Sequence, residues 1–332
     1  MIKILTHFAH SSYQTALSTV PDTKYFHVVD PKGEYFDPNA CPKNFWSKDD
    51  PLPRNIVPIH PKDVADERID LILVHWHPFI EQFRNLWQKI PMIMLEHTWP
   101  YLGSKGEALK WKNLRDRCCE HAVFITPSSR DAWGYKDTPL SYIYHSIDVD
   151  HFPQKIDYTG RQIMTTTNEF INRDWATGFS IWTNVLGVPG KAYFDDIALY
   201  GYGNSNIGPV AKGSRARVEI LDLLKVAGVY FNPAPMSPIP MSLLEAAAVG
   251  TPIVSVAYCE AGKIFEDGVH GIISNDTMEL RHGIKYMLDN PDDAERMAKN
   301  ARTRVKELFD PIRFQCEWNE LFNRVKTKGR KK

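Results

Sequence analysis

Cysteine is scarce and shows no pairing pattern. The five, at positions 41, 118, 119, 259 and 316, are odd in number, with two adjacent and no C-x-x-C pair. That leaves neither a disulfide framework nor a zinc ribbon. No uninterrupted apolar run approaches the ~20 residues that span a bilayer. The opening Met1-Ile-Lys-Ile-Leu5 is too short, and too soon interrupted by His7 and His10, for a secretory signal. A reducing, cytoplasmic setting is the expectation. Net charge is absent as well: Lys plus Arg and Asp plus Glu number 40 each, so no global field draws the chain to nucleic acid or an anionic membrane. One local excess exists, five basic side chains in the last seven residues. A tail of that kind is ordinarily a solvated end, with a weak phosphate contact as the alternative.

What is present is an alternating α/β pattern over 332 residues, long enough for two domains with separate cores. Strands are expected at Ile2–Thr6, Tyr25–Val29, Leu71–His75, Met92–Leu95, Val123–Thr126 and Tyr142–Tyr144, with helices between them. Asp30–Pro61 breaks the rhythm with seven prolines and reads as an irregular surface excursion. A second set begins near Gln162: strands at Gln162–Thr166, Ile197–Tyr200, Val229–Phe231, Pro252–Val256 and Gly271–Ile273. Its helices are expected at Trp175–Leu186, Arg215–Val226, Ser242–Val249, Thr277–Leu288 and Asp292–Leu308. The polar Asp148–Gly160 stretch marks the boundary. The expected domains are 1–152, 153–308, and a terminal helix with basic tail, 309–332. Doubly wound domains take ligands at the carboxyl ends of their strands, and two in tandem are expected to face a cleft there.

The segment Phe231-Asn-Pro-Ala-Pro-Met-Ser-Pro-Ile-Pro-Met-Ser-Leu-Leu-Glu245 runs from a strand through a stiff loop into a helix. Prolines 233, 235, 238 and 240 restrict that loop before any ligand arrives. The helix end at Met241 and Ser242 offers unpaired amides and a positive dipole, a seat for phosphate. Glu245 has two readings. Its carboxylate can accept two hydrogen bonds from a vicinal diol such as a ribose. Equally, Ser242-Leu-Leu-Glu245 fits the S-x-x-E capping box. Spacing alone leaves both open.

From Ser237 to Gly271 the sequence resembles the C-terminal domain of the retaining family-4 (group 1) glycosyltransferases. Their E-A-x-A-x-G-x-P-V-V pattern matches at Glu245, Ala246, Ala248, Gly250 and Pro252, and D-G-x-x-G matches at Asp267, Gly268 and Gly271. The resemblance implies a GT-B fold and transfer from a UDP- or GDP-linked sugar with retention of anomeric configuration. It assigns the nucleotide ribose to Glu245. The family's other glutamate, which contacts the donor sugar, falls on Ser237, a departure that leaves the sugar open. In Asn168-Glu-Phe-Ile-Asn-Arg173 the family's G-R-x5-basic motif keeps only its second cation, Arg173, while Asn168 replaces the arginine. Arg173 and the Met241–Ser242 helix end would hold the diphosphate. A surface arginine paired with Asp174 or another carboxylate is the plainer alternative. Gly201-Tyr-Gly203 resembles the G-x-G donor loop, though a simple turn explains it as well.

The first half carries thinner signals. Pro91-Met-Ile-Met-Leu-Glu-His97 resembles the family strand that ends in a sugar-facing histidine, with a polar residue closing a strand as the alternative. Ala122–Ser128 and Ile143–Phe152 resemble further family landmarks. The first loop, His7-Phe-Ala-His10-Ser-Ser, lacks the family's glycine pair. His75-Trp-His77 with His97 suggests a zinc site, but no carboxylate spacing supports it and His77 precedes Pro78. No metal and no cofactor beyond the nucleotide-sugar co-substrate is expected. The acceptor is a surface glycan or lipopolysaccharide, a small molecule, a protein, or, with less support, a hydroxylated DNA base. Lys105, Lys110, Lys112, Arg115 and Arg117 would serve DNA or peripheral contact with an anionic membrane; a scattered solvated helix face accounts for them more simply. Two rivals remain, a GT-B epimerase with Glu96 as its one obvious first-domain carboxylate, and a non-catalytic nucleotide-sugar-binding protein. The aromatic stripe of Phe309–Phe322 resembles the terminal helix that crosses back to the first domain, where it would pack.

Overall fold

The computed structural model describes residues 1–30, 32–34, 51–100, 105–134, 138–188 and 191–329. Cys41, prolines 31, 38 and 42 and the last three residues of the basic tail lie outside them. The chain divides into two compact units, Met1–Ser146 with Pro311–Lys332, and Ile147–Asp310.

The first unit contains β1 (Ile2–His7), α1 (Ser11–Ser18), β2 (Thr23–Val28), β3 (Ile56–Ile59), β4 (Leu71–Val74), α2 (Pro78–Leu86), β5 (Met92–Glu96), α3 (Lys105–Cys118), β6 (His121–Phe124), α4 (Pro127–Trp133) and β7 (Leu140–Tyr142). Seven parallel strands lie in the order β3-β2-β1-β4-β5-β6-β7. Because successive strand residues face opposite sides, the apolar runs sort into two cores. Ile4, Leu71, Leu73, Ile93 and Leu95 pack with Tyr13 and Leu17 of α1. Leu5, Ile72, Val74, Met92 and Met94 pack with Phe79, Ile80 and Phe83 of α2. Both faces are covered, which is why these strands read as continuous apolar runs.

The strand β3 corrects the irregular excursion expected for Asp30–Pro61. It contains Pro58 and sits at the sheet edge, paired only to β2. An edge position tolerates a proline that a central strand would not.

The second unit contains β8 (Ile163–Thr166), α5 (Asp174–Thr177), α6 (Phe179–Leu186), the small hairpin β9 (Gly187–Val188) and β10 (Lys191–Ala192), β11 (Ile197–Tyr200), α7 (Arg217–Val226), β12 (Val229–Asn232), α8 (Met241–Val249), β13 (Ile253–Ser255), α9 (Ala261–Ile264), β14 (Ile272–Ile273), α10 (Thr277–Asp289) and α11 (Pro291–Leu308). Its parallel sheet runs β11-β8-β12-β13-β14. One face packs Ile163, Leu199, Val229, Phe231 and Val254 against Trp182, Val185, Leu280 and Ile284. The helix expected at Trp175–Leu186 is broken in two at Gly178. That residue has φ +80, and a Cβ there would lie 2.0 Å from the Pro233 carbonyl oxygen, so only glycine lets the two loops approach so closely.

The last helix, α12 (Pro311–Gly329), belongs to the first unit. Phe314, Trp318, Leu321, Phe322 and Val325 recur at helical spacing and enter the core beneath α1. The boundaries differ from those expected at 152/153 and 308/309. The Ile147 amide donates to the Phe309 carbonyl at 2.8 Å, Arg302 to the Val149 carbonyl at 3.0 Å, and Lys306 Nζ to both oxygens of Asp150 at 2.7 and 2.8 Å. These bonds tie 147–152 to the second unit.

Candidate active site

In the second unit the strand order reverses between β8 and β12, so the loops after these strands define the expected ligand edge. Three hydroxyls join them. Thr166 at the end of β8 bonds the Tyr230 hydroxyl at 3.0 Å, and Tyr230 also bonds the Ser242 side chain in the first turn of α8. The Ser242 hydroxyl is thus engaged, and what α8 presents is its first amides, which lie ahead of the intrahelical ladder. Ser237 is half-buried in the proline-rich loop, whose Pro235 and Pro238 carbonyls accept from Cys259 and Glu260.

Glu245 does not cap its helix. The N-cap is Pro240, so Ser242 is the second helical residue and Glu245 the fifth. The carboxylate instead accepts from Arg217 Nε of α7 at 2.8 Å, with its own side chain 14% exposed and the arginine's 57%. The capping-box reading is therefore removed. Nothing in local spacing marked Arg217, which lies 28 residues away.

Arg173 is exposed at the N-cap of α5. Its expected rival pairing with Asp174 is not formed: that carboxylate accepts from the Ser180 amide at 2.7 Å and its hydroxyl at 2.5 Å, tying down the start of α6. Asn168, Gly201 and Gly203 are brought together. Asn168 Oδ1 accepts from the Tyr202 amide at 3.1 Å, and the Glu169 amide donates to the Tyr202 carbonyl at 2.8 Å. Gly201 has φ +133, and a Cβ there would lie 1.9 Å from the Thr167 carbonyl oxygen. We expect Gly201→Ala to cost about 3 kcal/mol or more, read as a lower urea midpoint and faster amide exchange across 167–170. Asp267 holds the start of β14, accepting from the Ile273 amide at 2.8 Å.

At the carboxyl ends of the first unit's strands stands a group of histidines. His7 ends β1, His75 follows β4 and His97 follows β5. His75 Nδ1 lies 3.1 Å from His97 Nε2, and the His10 ring is 4.5 Å from that of His97. Tyr13 stands edge-on to His97 at 5.0 Å and to His145 at 5.1 Å. Burial lowers His7 to about 4, His27 and His145 to about 3, and holds His75 and His97 well below the ordinary histidine value. These rings are neutral near pH 7.

His77 does not join them. It turns toward Glu96, at 2.7 Å, and stacks on Trp111. The His75, His77 and His97 set that suggested zinc is therefore split, and no group of three or more candidate ligands among the described residues is arranged for a metal. Glu96 also accepts from Arg115, and from the Thr98 amide and hydroxyl at 3.0 and 2.6 Å. Burial alone would raise its carboxyl pKa, but the charges of His77 and Arg115, with the hydrogen bonds, bring it well below the usual range. Arg115 is fully buried, which removes it from the basic face expected on α3. The Lys105 side chain lies outside the described residues.

A pair of α/β units with all-parallel central sheets and a terminal helix returned to the first is the GT-B fold. Similarity to known proteins agrees. Residues 210–304 match the family described as glycosyl transferases group 1. A stretch of 100 residues is 33% identical to glycogen synthase of Mycobacterium tuberculosis, covering 30% of this chain and 24% of that protein; the match spans about a quarter of the relative. Among solved structures, Anabaena HepE in complex with UDP-glucose aligns over 97% of this chain and 100% of its own, with TM-score 0.74 and 14% identity. A sucrose-phosphate synthase from Thermosynechococcus elongatus aligns over 98% and 99%, with TM-score 0.71 and 14% identity. The lipopolysaccharide outer core galactosyltransferase WaaB aligns over 98% and 100%, at 0.64 and 10%. No described helix is long and apolar enough to cross a membrane.

Proposed function

We propose that the chain is a glycosyltransferase that moves a sugar from a UDP- or GDP-linked donor to an acceptor hydroxyl with retention of anomeric configuration. The observation that carries this reading is Glu245. It lies within the matched segment, behind the stiff loop and helix end, with its carboxylate held by one exposed arginine rather than spent on capping. Its second oxygen, and on exchange of Arg217 both, can accept from a ribose diol. Arg173 and the amides of Met241 and Ser242 hold the diphosphate, while Asn168, Gly201 and Gly203 shape the loop beside it. Ser237 and His97 supply hydrogen bonds to the donor sugar, and the acceptor hydroxyl attacks on the face from which the diphosphate leaves. The acceptor is a surface glycan or lipopolysaccharide; burial of Arg115 weakens the basic stripe that a DNA base would call for.

A panel of UDP- and GDP-sugars, with glycan acceptors, tests the assignment. Acceptor-dependent release of free nucleotide is the expected result, and His97→Ala should slow it about 100-fold with nucleotide affinity within about twofold. A new sugar isomer would instead mean an epimerase, which would need an acid or base in the first unit. Glu96 is poorly suited to that, being held ionised by Arg115 and His77. Tight binding with no product would leave a binding protein.

A further inference from the structure

The hydrogen bonds around His75 have a direction, and that direction ends at His97. Gln14 is buried in the first turns of α1, and its Oε1 accepts from the Ala9 amide at 3.0 Å while its Nε2 donates to the His7 carbonyl at 2.7 Å. The orientation of the amide is thereby fixed, because reversing it would set donor against donor and acceptor against acceptor. The second hydrogen of Nε2 then points to His75 Nε2 at 3.5 Å. His75 must accept at Nε2 and carry its proton on Nδ1. That N–H faces His97 Nε2 at 3.1 Å, with the two ring planes 16° apart. His97 in turn accepts at Nε2 and carries its own proton on Nδ1, which has no protein partner among the described residues.

We propose that Gln14 and His75 are positioning residues that lock His97 in its Nδ1–H form, so that it meets the donor sugar as a hydrogen-bond donor through Nδ1 and not as a base. The role at the sugar rests on the function proposed above; the locked tautomer does not. Free imidazole favours the Nε2–H form, so the relay selects against the intrinsic preference. His7 supports the geometry, accepting at Nε2 from the His75 amide at 3.0 Å and leaving its Nδ1 proton to the Phe8 carbonyl at 3.2 Å. Around this chain stand His10, Tyr13, His27 and His145, with the Glu96 charge acting on His97 and that of Arg313 on His145. None offers His97 a competing acceptor or donor among the bonds described.

Long-range ¹⁵N–¹H spectra of the full chain, with ¹⁵N-labelled histidine at pH 7.5, read the tautomers directly. The expected result is Nδ1–H for both His75 and His97, assigned by the signals lost in His75→Asn and His97→Asn. Gln14→Glu should reverse the relay, since a carboxylate accepts from His75 and moves both protons to Nε2. The wild-type spectrum stands if that variant fails to fold. A wild-type His97 seen as Nε2–H, as a fast average, or as imidazolium overturns the lock.

Activity is the second arm. Asparagine places an N–H near Nδ1 and glutamine near Nε2, so His97→Asn should keep transfer within about tenfold of wild type and His97→Gln should lose about 100-fold or more. Equal losses, with the Nδ1–H spectrum intact, overturn the donor role. Nδ1–H signals in a protein that transfers nothing support the relay and sink the glycosyltransferase reading instead.

Discussion

Acidification from pH 7 to pH 5 should unfold the Met1–Ser146 unit while Ile147–Asp310 keeps its protection. His7, His27, His75, His97 and His145 are all held below their ordinary titration range by burial. A histidine with a depressed folded pKa takes up its proton only in the unfolded chain, so stability falls as pH drops below the unfolded value near 6.5. Between pH 7 and 5, His7, His27 and His145 each contribute roughly 2 kcal/mol of loss, about 6 kcal/mol together, and His75 and His97 act in the same direction. That is comparable to the whole stability of an ordinary domain, about 5–15 kcal/mol. Arg313 adds to the effect at His145, and Glu96 opposes it at His97. In the second unit His270 is lowered too, but it is far less buried. Hydrogen exchange resolved by peptide measures the two units separately. Retention of β1 and β4 protection at pH 4.5, or simultaneous loss in both units, would contradict the effect.

That cluster also shows where sequence reading stops. Histidines at the ends of strands are visible one by one, and His97 could be placed by resemblance. Their convergence depends on strand order: His7 and His75 lie 68 residues apart and His75 and His97 22 apart, yet β1, β4 and β5 are neighbours in the sheet. Gln14 carries no local signal at all; its importance is a matter of which way an amide faces. Arg115 failed for a related reason. It sits among polar neighbours on α3, a pattern that reads as a solvated face, yet it is buried against Glu96 and beneath the Trp133 ring at 4.1 Å.

Most strands were legible because their apolar runs are short, continuous and bounded by turns. Ile197–Tyr200 agrees to the residue and the others within about two. The failures follow from contacts, not propensity. Pro58 hid an edge strand, and the helix expected over Trp175–Leu186 breaks at Gly178 because the Pro233 carbonyl lies against it. For the candidate site, the positions from Ser237 to Gly250 were placed by resemblance, whereas the partner of Glu245 was invisible until α7 and α8 were packed together.

That partner sharpens what Glu245 should do. Replacing it with alanine is expected to weaken UDP or GDP binding about 100-fold, near 3 kcal/mol, as two charge-assisted hydrogen bonds to the ribose are lost. The fold should barely register the change. The Arg217–Glu245 pair has a half-exposed arginine and contributes about 1 kcal/mol at most, and Arg217 can return to solvent over the Phe152 ring. The 2′-deoxy nucleotide separates ribose recognition from a general loss. Wild type should bind it about tenfold more weakly than the ribonucleotide, since one of the two bonds is missing, and Glu245→Ala should bind both equally. A variant that keeps the ribose preference while losing affinity would show that Glu245 merely shapes α8. Arg217→Ala distinguishes the remaining case. If the arginine competes with the ribose for the carboxylate, its removal tightens nucleotide binding; if it holds the carboxylate in place for the ribose, removal weakens binding, and calorimetric titration reads the sign directly.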